Sequence, residues 1–160
     1  MYRADAGVGS VGLRPYVVYG PGRDGGLTAA PTLAIAAAAR GEAYRVPFGG
    51  RCQLQLARDA AATFVAAARS GHDGASVFNL GGPASSMEDL VEAIEAAEPA
   101  ARGLVTFDDA VQLPFPPELE AGELDEVTGA LPPTPLTEGV RETLEHYRSR
   151  PGSDSLSSRP

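Results

Sequence analysis

The sequence predicts an α/β fold that contains a partial parallel sheet. Its clearest strand runs from Leu13 to Tyr19, is rich in aromatic and β-branched residues, and stops at Gly20-Pro21-Gly22. A second apolar strand, Ser76 to Leu80, ends at a glycine pair that precedes a helix, which is half of a βαβ unit. Ligands of open parallel sheets bind beyond the strand ends, so the loop after Tyr19 is the first candidate for a functional site.

Composition narrows the class of protein. The 160 residues are enough for one domain, and a net charge of -8 with a pI near 4.7 argues against nucleic-acid and anionic-membrane partners. The sequence contains neither an unbroken apolar run long enough to span a membrane nor a signal-peptide pattern at its start, so we expect a cytoplasmic protein. Its single cysteine, Cys52, excludes an internal disulfide.

All thirteen basic residues are arginines, so the sequence contains no lysine. The absence of lysine excludes a phosphate-binding P-loop and Schiff-base chemistry. It also means that a tyrosine general acid or base in this sequence would have no lysine partner.

The N-terminal region contains a glycine motif in the wrong setting. Residues 1–6 have the character of the last turns of a helix that begins before them, and Gly7 to Gly12 then matches G-x-G-x-x-G. A dinucleotide-binding turn requires a strand before the glycines and a helix after them. Here the order is reversed, and we expect a helix-to-strand turn without a phosphate site.

The next segment predicts a helix and two short strands. The helix spans Leu27 to Arg40, with Thr28 as a start signal and Gly41 as a stop. The strands are Tyr44 to Phe48 and the half-exposed Gln53 to Leu56, which we expect to lie side by side.

The following helix begins at an Asp59 N-cap and ends at Gly71. Apolar residues recur along it at i, i+3, i+4 and i+7, a spacing that predicts a face packed on the core. These residues are Ala61, Phe64, Val65 and Ala68.

The second half alternates helices with irregular segments. Ser85 and Glu88 predict a capping box, 104–107 a short strand and 119–128 a short helix. Thr137 is expected to cap the last helix. Its inward positions are Val140, Leu144 and Tyr147, and its outward positions are Arg141, Glu145 and Arg148.

Four motifs, taken in order, resemble the C-terminal half of the NAD(P)-dependent epimerase/dehydratase family, the extended short-chain dehydrogenase/reductases. The resemblance covers residues 1–149 and implies the late strands of a Rossmann-like parallel sheet plus a small α/β substrate-binding lobe, with 150–160 a disordered tail. The most specific motif is Leu13-Arg14-Pro15 followed by Val18-Tyr19-Gly20-Pro21-Gly22. The others are Ala57-Arg58-Asp59-Ala60-Ala61, Phe78-Asn79-Leu80-Gly81-Gly82, and Thr134-Pro135-Leu136-Thr137-Glu138-Gly139 with Arg141-Glu142-Thr143.

The resemblance implies an enzyme that moves a hydride between bound NAD or NADP and a hydroxyl carbon, usually of a nucleotide sugar. The family's catalytic tyrosine and the lysine four residues later are absent, since Tyr2 stands at the end of the helix that would carry them. No catalytic residue is therefore assigned. We expect a substrate-binding half that is inactive alone, or alternatively a non-catalytic binding or scaffolding module derived from the family.

The resemblance also implies roles for individual residues of the first motif. Pro15 and Tyr16 align with the strand end whose backbone lies beside the nicotinamide, and Val17 with a position that often faces the sugar nucleotide. Arg58 takes the place of an acidic residue common before the capping aspartate and is expected to be surface variation.

Two arginines are candidates for binding substrate anions. Arg23 could contact a phosphate or carboxylate, or equally be a solvated loop residue paired with Asp24. The family's diphosphate-binding arginine aligns with Cys52, and Arg51 lies one place earlier, so either the register slips or this contact is lost.

The remaining expectations concern partners and metals. The hydrophobic strand lacks the neighbours that a parallel sheet requires, so we expect it to bind a missing N-terminal half or a homologous partner, or to form a homodimer. His72 and His146 have no partner at ligand spacing, so no metal site is expected.

Overall fold

The structure, a computed structural model, describes residues 2–149 and confirms the α/β class. Within this range the chain forms seven strands and six α-helices. The strands are β1 (Ser10–Arg14), β2 (Val17–Tyr19), β3 (Tyr44–Val46), β4 (Arg51–Leu56), β5 (Ala75–Asn79), β6 (Ala84–Ser86) and β7 (Val105–Phe107). The helices are α1 (Tyr2–Ala6), α2 (Ala30–Ala39), α3 (Ala57–Arg69), α4 (Met87–Ala97), α5 (Leu124–Thr128) and α6 (Leu136–Arg148). The tail predicted for 150–160 lies outside the described residues.

The described strands form three small sheets. Strands β1 and β5 pair in parallel, as do β3 and β7, while β4 lies between β2, which is parallel to it, and β6, which is antiparallel. The predicted pairing of the segments 44–48 and 53–56 is therefore wrong. The chain turns away between them because Gly50 has a φ of 73° and the N–H of Gly49 donates to the carbonyl of Val111.

The strand predicted from Leu13 to Tyr19 is divided in two. Strand β1 ends at Arg14, and β2 begins at Val17 in a different sheet. Pro15 has no N–H to donate. The N–H of Tyr16 donates to the side chain of Gln55 instead of a backbone carbonyl of a neighbouring strand. The ladder is therefore interrupted at these two residues.

The core lies between the helices and the β2–β4–β6 sheet. Its largest fully buried aliphatic side chains include Ile35 of α2, Leu90 and Ile94 of α4, and Leu144 of α6. Gly139 allows α6 to approach β2, because a Cβ at this position would overlap the hydroxyl of Tyr19. This glycine thus permits close packing of α6 against β2.

The start of α3 differs from its prediction. The helix begins at Ala57 with Leu56 at its N-cap, and Asp59 lies inside the first turn. The carboxylate of Asp59 accepts from the N–H of Thr134 at 2.7 Å and from its hydroxyl at 3.1 Å. A long-range contact therefore takes the side chain that was predicted to cap the helix.

Three further helix starts also differ. The capping box of α4 pairs Ser86 with Asp89, one position after the predicted pair. The N-cap of α6 is Pro135 instead of Thr137, and the hydroxyl of Thr28 accepts a hydrogen bond from Arg23 without capping α2. Side-chain identity alone does not locate a cap when the chain path is unknown.

The apolar face of α3 is exposed, contrary to the prediction that it packs on the core. Phe64 and Val65 are 46% and 47% exposed, and the helix instead buries Ala60 and Ala67. Val77 of β5 is also exposed. No element within residues 2–149 covers these side chains. Across the same residues, no helix is both long and apolar enough to span a membrane.

Candidate functional site

Two glutamines on β4 organise the loops at the β1–β2 junction. The sequence pattern predicted a half-exposed strand, yet Gln53 and Gln55 are only 3% and 8% exposed. The side-chain oxygen of Gln55 accepts from the N–H of Tyr16 at 2.8 Å, and its amide nitrogen donates to the carbonyls of Leu80 and Gly81. Gln55 thus links the junction to the glycine loop after β5.

Gln53 performs the same task for another segment. Its amide nitrogen donates to the carbonyls of Gly82 and Leu119 at 2.8 and 3.0 Å, and its oxygen accepts from the N–H of Leu119 at 3.1 Å. Buried amides with both ends paired hold irregular backbone in one arrangement. Sequence reasoning missed this role, although two glutamines among otherwise apolar strand residues were a signal for it.

The residues predicted to face a cofactor lie at this junction. Pro15 is exposed, whereas Tyr16 is half-buried beneath the segment 112–119. The hydroxyl of Tyr16 donates to the carbonyl of Pro116 at 2.6 Å, and its ring lies edge-on to Phe115 with centroids 6.0 Å apart. Burial, with a smaller contribution from Cys52, raises the pKa of Tyr16, so its side chain is a neutral donor at physiological pH.

The predicted substrate residues are not brought together. Val17 is fully buried in the core beside Leu54, which leaves its side chain no surface to offer a bound molecule. Arg51 is the first residue of β4, which runs parallel to β2. It therefore lies towards the end of the sheet where β2 begins, whereas Arg23 follows the end of β2. Because β4 rises ~3.3 Å per residue, these two ends lie roughly 16 Å apart.

The two arginines also differ in availability. The guanidinium of Arg23 donates to the carbonyl of Gly25 and to the hydroxyl of Thr28, which closes its own loop. Arg51 is exposed, donates to the carbonyl of Ala84 at 3.0 Å and lies 3.7 Å from the carboxylate of Glu118. Arg51 is therefore the more accessible anion-binding candidate.

Arg58 does more than the surface variation expected of it. Its guanidinium lies 2.7 Å from the carboxylate of Glu142 in α6 and donates to the hydroxyl of Thr134 at 3.0 Å. It also lies 3.6 Å from the carboxylate of Asp59. Arg58 thus joins α3, α6 and the segment between α5 and α6.

A cavity of about 310 Å³ lies apart from the predicted residues. Its walls are the end of β4, the start of α3, the loop 80–83, α5 and the segment 131–134. None of the residues predicted to bind cofactor or substrate is among the described residues that line it. A wider depression of about 580 Å³ lies between β1 and the exposed side of α3.

The glycine motif does not fit a cofactor phosphate. Gly7 to Gly12 connects α1 to β1, so a helix precedes it and a strand follows it, as predicted. Gly9 packs against the backbone of His72, where any Cβ would clash. A dinucleotide phosphate is held by a helix N-terminus after the glycines, which this segment lacks. Gly7 to Gly12 therefore lacks the strand–glycine–helix order of a dinucleotide-phosphate turn.

The histidines and carboxylates do not form a metal site within residues 2–149, where no group of three or more potential ligands is close enough to hold an ion. The Nε2 atom of His72 instead lies 2.9 Å from the hydroxyl of Ser76.

No protein-family model and no curated protein matches the sequence. Among solved structures, the fold is similar to UDP-glucose 4-epimerase from Thermus thermophilus in complex with NAD, with a TM-score of 0.72 and 20% identity over 93% of this chain and 50% of that chain. It is similar to UDP-glucuronic acid 4-epimerase from Bacillus cereus in complex with NAD, with a TM-score of 0.70 and 18% identity over 92% of this chain and 47% of that one. RMD from Pseudomonas aeruginosa complexed with NADPH matches at a TM-score of 0.70 and 18% identity, over 93% of this chain and 51% of that one. The chain thus spans about half the length of these structures.

Proposed function

We propose that this chain is the substrate-binding half of an NAD(P)-dependent epimerase, dehydratase or reductase that acts on a nucleotide sugar by hydride transfer. The observation that carries the proposal is that nearly the whole chain shares the fold of half of such enzymes. The β1–β2 junction, with Pro15 exposed beside it, lies at the motif that most specifically resembles the family.

The described residues would form one wall of the site. Gln53 and Gln55 hold the junction, the glycine loop and the segment 112–119 in fixed positions. Arg51 would bind the substrate diphosphate, because an exposed guanidinium pairs well with phosphate oxygens. A second lobe would bind the cofactor phosphates and would carry the tyrosine and lysine that transfer the proton. The exposed face of α3 and β5 is a surface that such a lobe could cover.

The proposal predicts that the chain alone does not bind NAD or NADP at micromolar concentration. Titration calorimetry with each dinucleotide measures this directly, and micromolar binding of either one would contradict the half-site proposal. A cytoplasmic location belongs to the same proposal.

A second experiment tests the substrate. The coding sequence directly upstream should encode a strand, a glycine-rich loop and a Tyr-x-x-x-Lys helix, and the combined polypeptide should bind UDP-glucose or a related nucleotide sugar. Substituting Arg51→Gln should weaken this binding by roughly 10- to 100-fold, since a charged hydrogen bond contributes ~1.5–3 kcal/mol. Arg45→Gln is the control, because Arg45 is an exposed arginine already paired with Asp108. Equal affinities of the two variants would remove Arg51 from the site.

The alternative is a non-catalytic binding or scaffolding module derived from the same fold. An unrelated upstream gene and a genuine start codon at Met1 would support this alternative. In that case we expect a homologous partner or a second copy on the exposed face of α3, without nicotinamide binding.

A further inference from the structure

The cavity of about 310 Å³ beside α3 is a second ligand-binding candidate, separate from the proposed nucleotide-sugar site. Its volume is at the lower end of the ~300–1,000 Å³ typical of small-molecule pockets. The wall is mainly aliphatic, with Leu54, Leu56, Ala60, Leu80, Leu124 and Leu131 among its residues. An apolar body of about ten non-hydrogen atoms suits such a wall.

The side-chain hydrogen-bond donors in the lining are already engaged, which leaves mainly acceptors. The hydroxyl of Thr63 donates to the carbonyl of Asp59, and that of Thr128 to the carbonyls of Leu124 and Gly129. The amide nitrogen of Gln55 is likewise used by backbone carbonyls. The side-chain donors are thus engaged within the protein, and the hydroxyls keep acceptor lone pairs.

The charges in the lining point the same way. The two ionisable residues that line the cavity are Asp59 and Asp125, and no arginine or histidine does. Arg58 lies 3.6 Å from the Asp59 carboxylate, which Thr134 also satisfies. Asp125 forms no ion pair with any side chain that the structure describes. Asp125 is thus a carboxylate of the lining without a described counter-ion, and such a group disfavours an anion and favours a cation.

We infer that this cavity binds a small apolar molecule that carries an amine or another hydrogen-bond donor. The apolar body would lie against the leucines, and the donor would face Asp125. A phosphate-bearing ligand, including the nucleotide sugar of the proposed site, does not suit a lining with acceptors and a free carboxylate. The inference therefore does not depend on the proposed function.

Three matched probes test the chemistry: benzylamine, benzyl alcohol and benzoate share one ring and differ in charge. Titrations of the full chain followed by ¹H–¹⁵N NMR should show benzylamine binding most tightly, benzyl alcohol about fivefold more weakly, and benzoate not binding, because charge-assisted hydrogen bonds are about twice as strong as neutral ones. Amide shifts should centre on Leu124 and Thr128. Failure of benzylamine to bind at about 10 mM, or equal binding of benzoate, would overturn the inference.

Variants of adjacent helix residues test the location. Ala62 lines the cavity, whereas its neighbour Ala61 does not, and both are exposed on α3. Ala62→Trp should fill the cavity and abolish benzylamine binding, while Ala61→Trp should retain it. Asp125→Asn, an exposed substitution, should remove the preference for benzylamine over benzyl alcohol. Benzylamine binding that survives Ala62→Trp, or a preference unchanged by Asp125→Asn, would refute the site.

Discussion

The backbone N–H of Tyr16 donates a 2.8 Å hydrogen bond to the side chain of Gln55, 39 positions later in the chain. This bond joins the point where two sheets separate to the strand at the centre of one of them. The other end of the same amide holds the glycine loop through Leu80 and Gly81. One buried side chain therefore replaces the backbone ladder that Pro15 interrupts.

Substituting Gln55→Leu should destabilise the chain by about 1–3 kcal/mol, because it leaves the Tyr16 N–H and the Leu80 carbonyl without their partner. Gln112→Leu is the control, since Gln112 is exposed and bonds only to a neighbouring carbonyl. Urea denaturation measures both. A Gln55 variant as stable as the control would show that water replaces the lost contacts.

Gly139→Ala should cost about 1–3 kcal/mol, since the new methyl group would overlap the hydroxyl of Tyr19 and force α6 away from β2. Adding Tyr19→Phe removes the overlapping oxygen and should restore much of the loss. A double-mutant cycle from thermal unfolding isolates the coupling. Additive effects of the two substitutions would contradict the packing described here.

Ser86→Ala should destabilise α4 by ~1 kcal/mol through loss of its N-cap, whereas Ser85→Ala should be nearly neutral. A larger loss of stability in Ser85→Ala than in Ser86→Ala would instead support the cap position predicted from the sequence. Chemical denaturation of the two variants, which differ by one position, distinguishes these outcomes.

The same cap should make stability depend on pH. The Ser86 backbone N–H, and then its hydroxyl, bind the Asp89 carboxylate and lower its pKa. A lowered folded-state pKa means that this stabilisation is fully present above the unfolded value of ~3.9 and is lost as pH falls through the folded value. NMR titration should find the Asp89 midpoint below the ordinary value, and Asp89→Asn should flatten the acid-side slope of stability. An ordinary midpoint would contradict the capping geometry.

The exposed face of α3 should drive self-association of the isolated chain. Replacing Phe64 and Val65 with serine should shift sedimentation towards monomer, because the largest exposed apolar groups of that face are removed. Val111→Ser, at an equally exposed position elsewhere, should change little.

In the monomer, amides of β1 should exchange hydrogen faster than those of β4, and equal protection would argue against an incomplete sheet.

Local sequence signals predicted the kinds of element better than their partners. The glycine stop after α2 and the inward positions Val140 and Leu144 of α6 follow from local propensity, and they match the structure. The pairing of β3 with β7 does not, because the two strands lie far apart in the sequence and strands this short carry no register information.

The candidate site was less accessible to sequence reasoning. Pro15 and Tyr16 were predicted through a family motif, but the buried hydrogen bonds of Gln53 and Gln55 require knowing which loops lie above β4. Polar residues in an alternating strand ordinarily face solvent. Here Leu119 bonds to Gln53, and the loop after β5 bonds to Gln55. The apolar face of α3 was correctly recognised as apolar, yet no element within residues 2–149 covers it.

The reactivity of Cys52 can be used to measure how often the β2–β4–β6 sheet opens. It is the one cysteine of the sequence, it sits in the middle strand of the β2–β4–β6 sheet, and burial raises its pKa to about 12. At mildly alkaline pH the folded thiol is protonated and shielded, while an unfolded one, with a pKa of ~8.5, reacts with alkylating reagents. The rate of thiol labelling therefore reports how often this sheet opens.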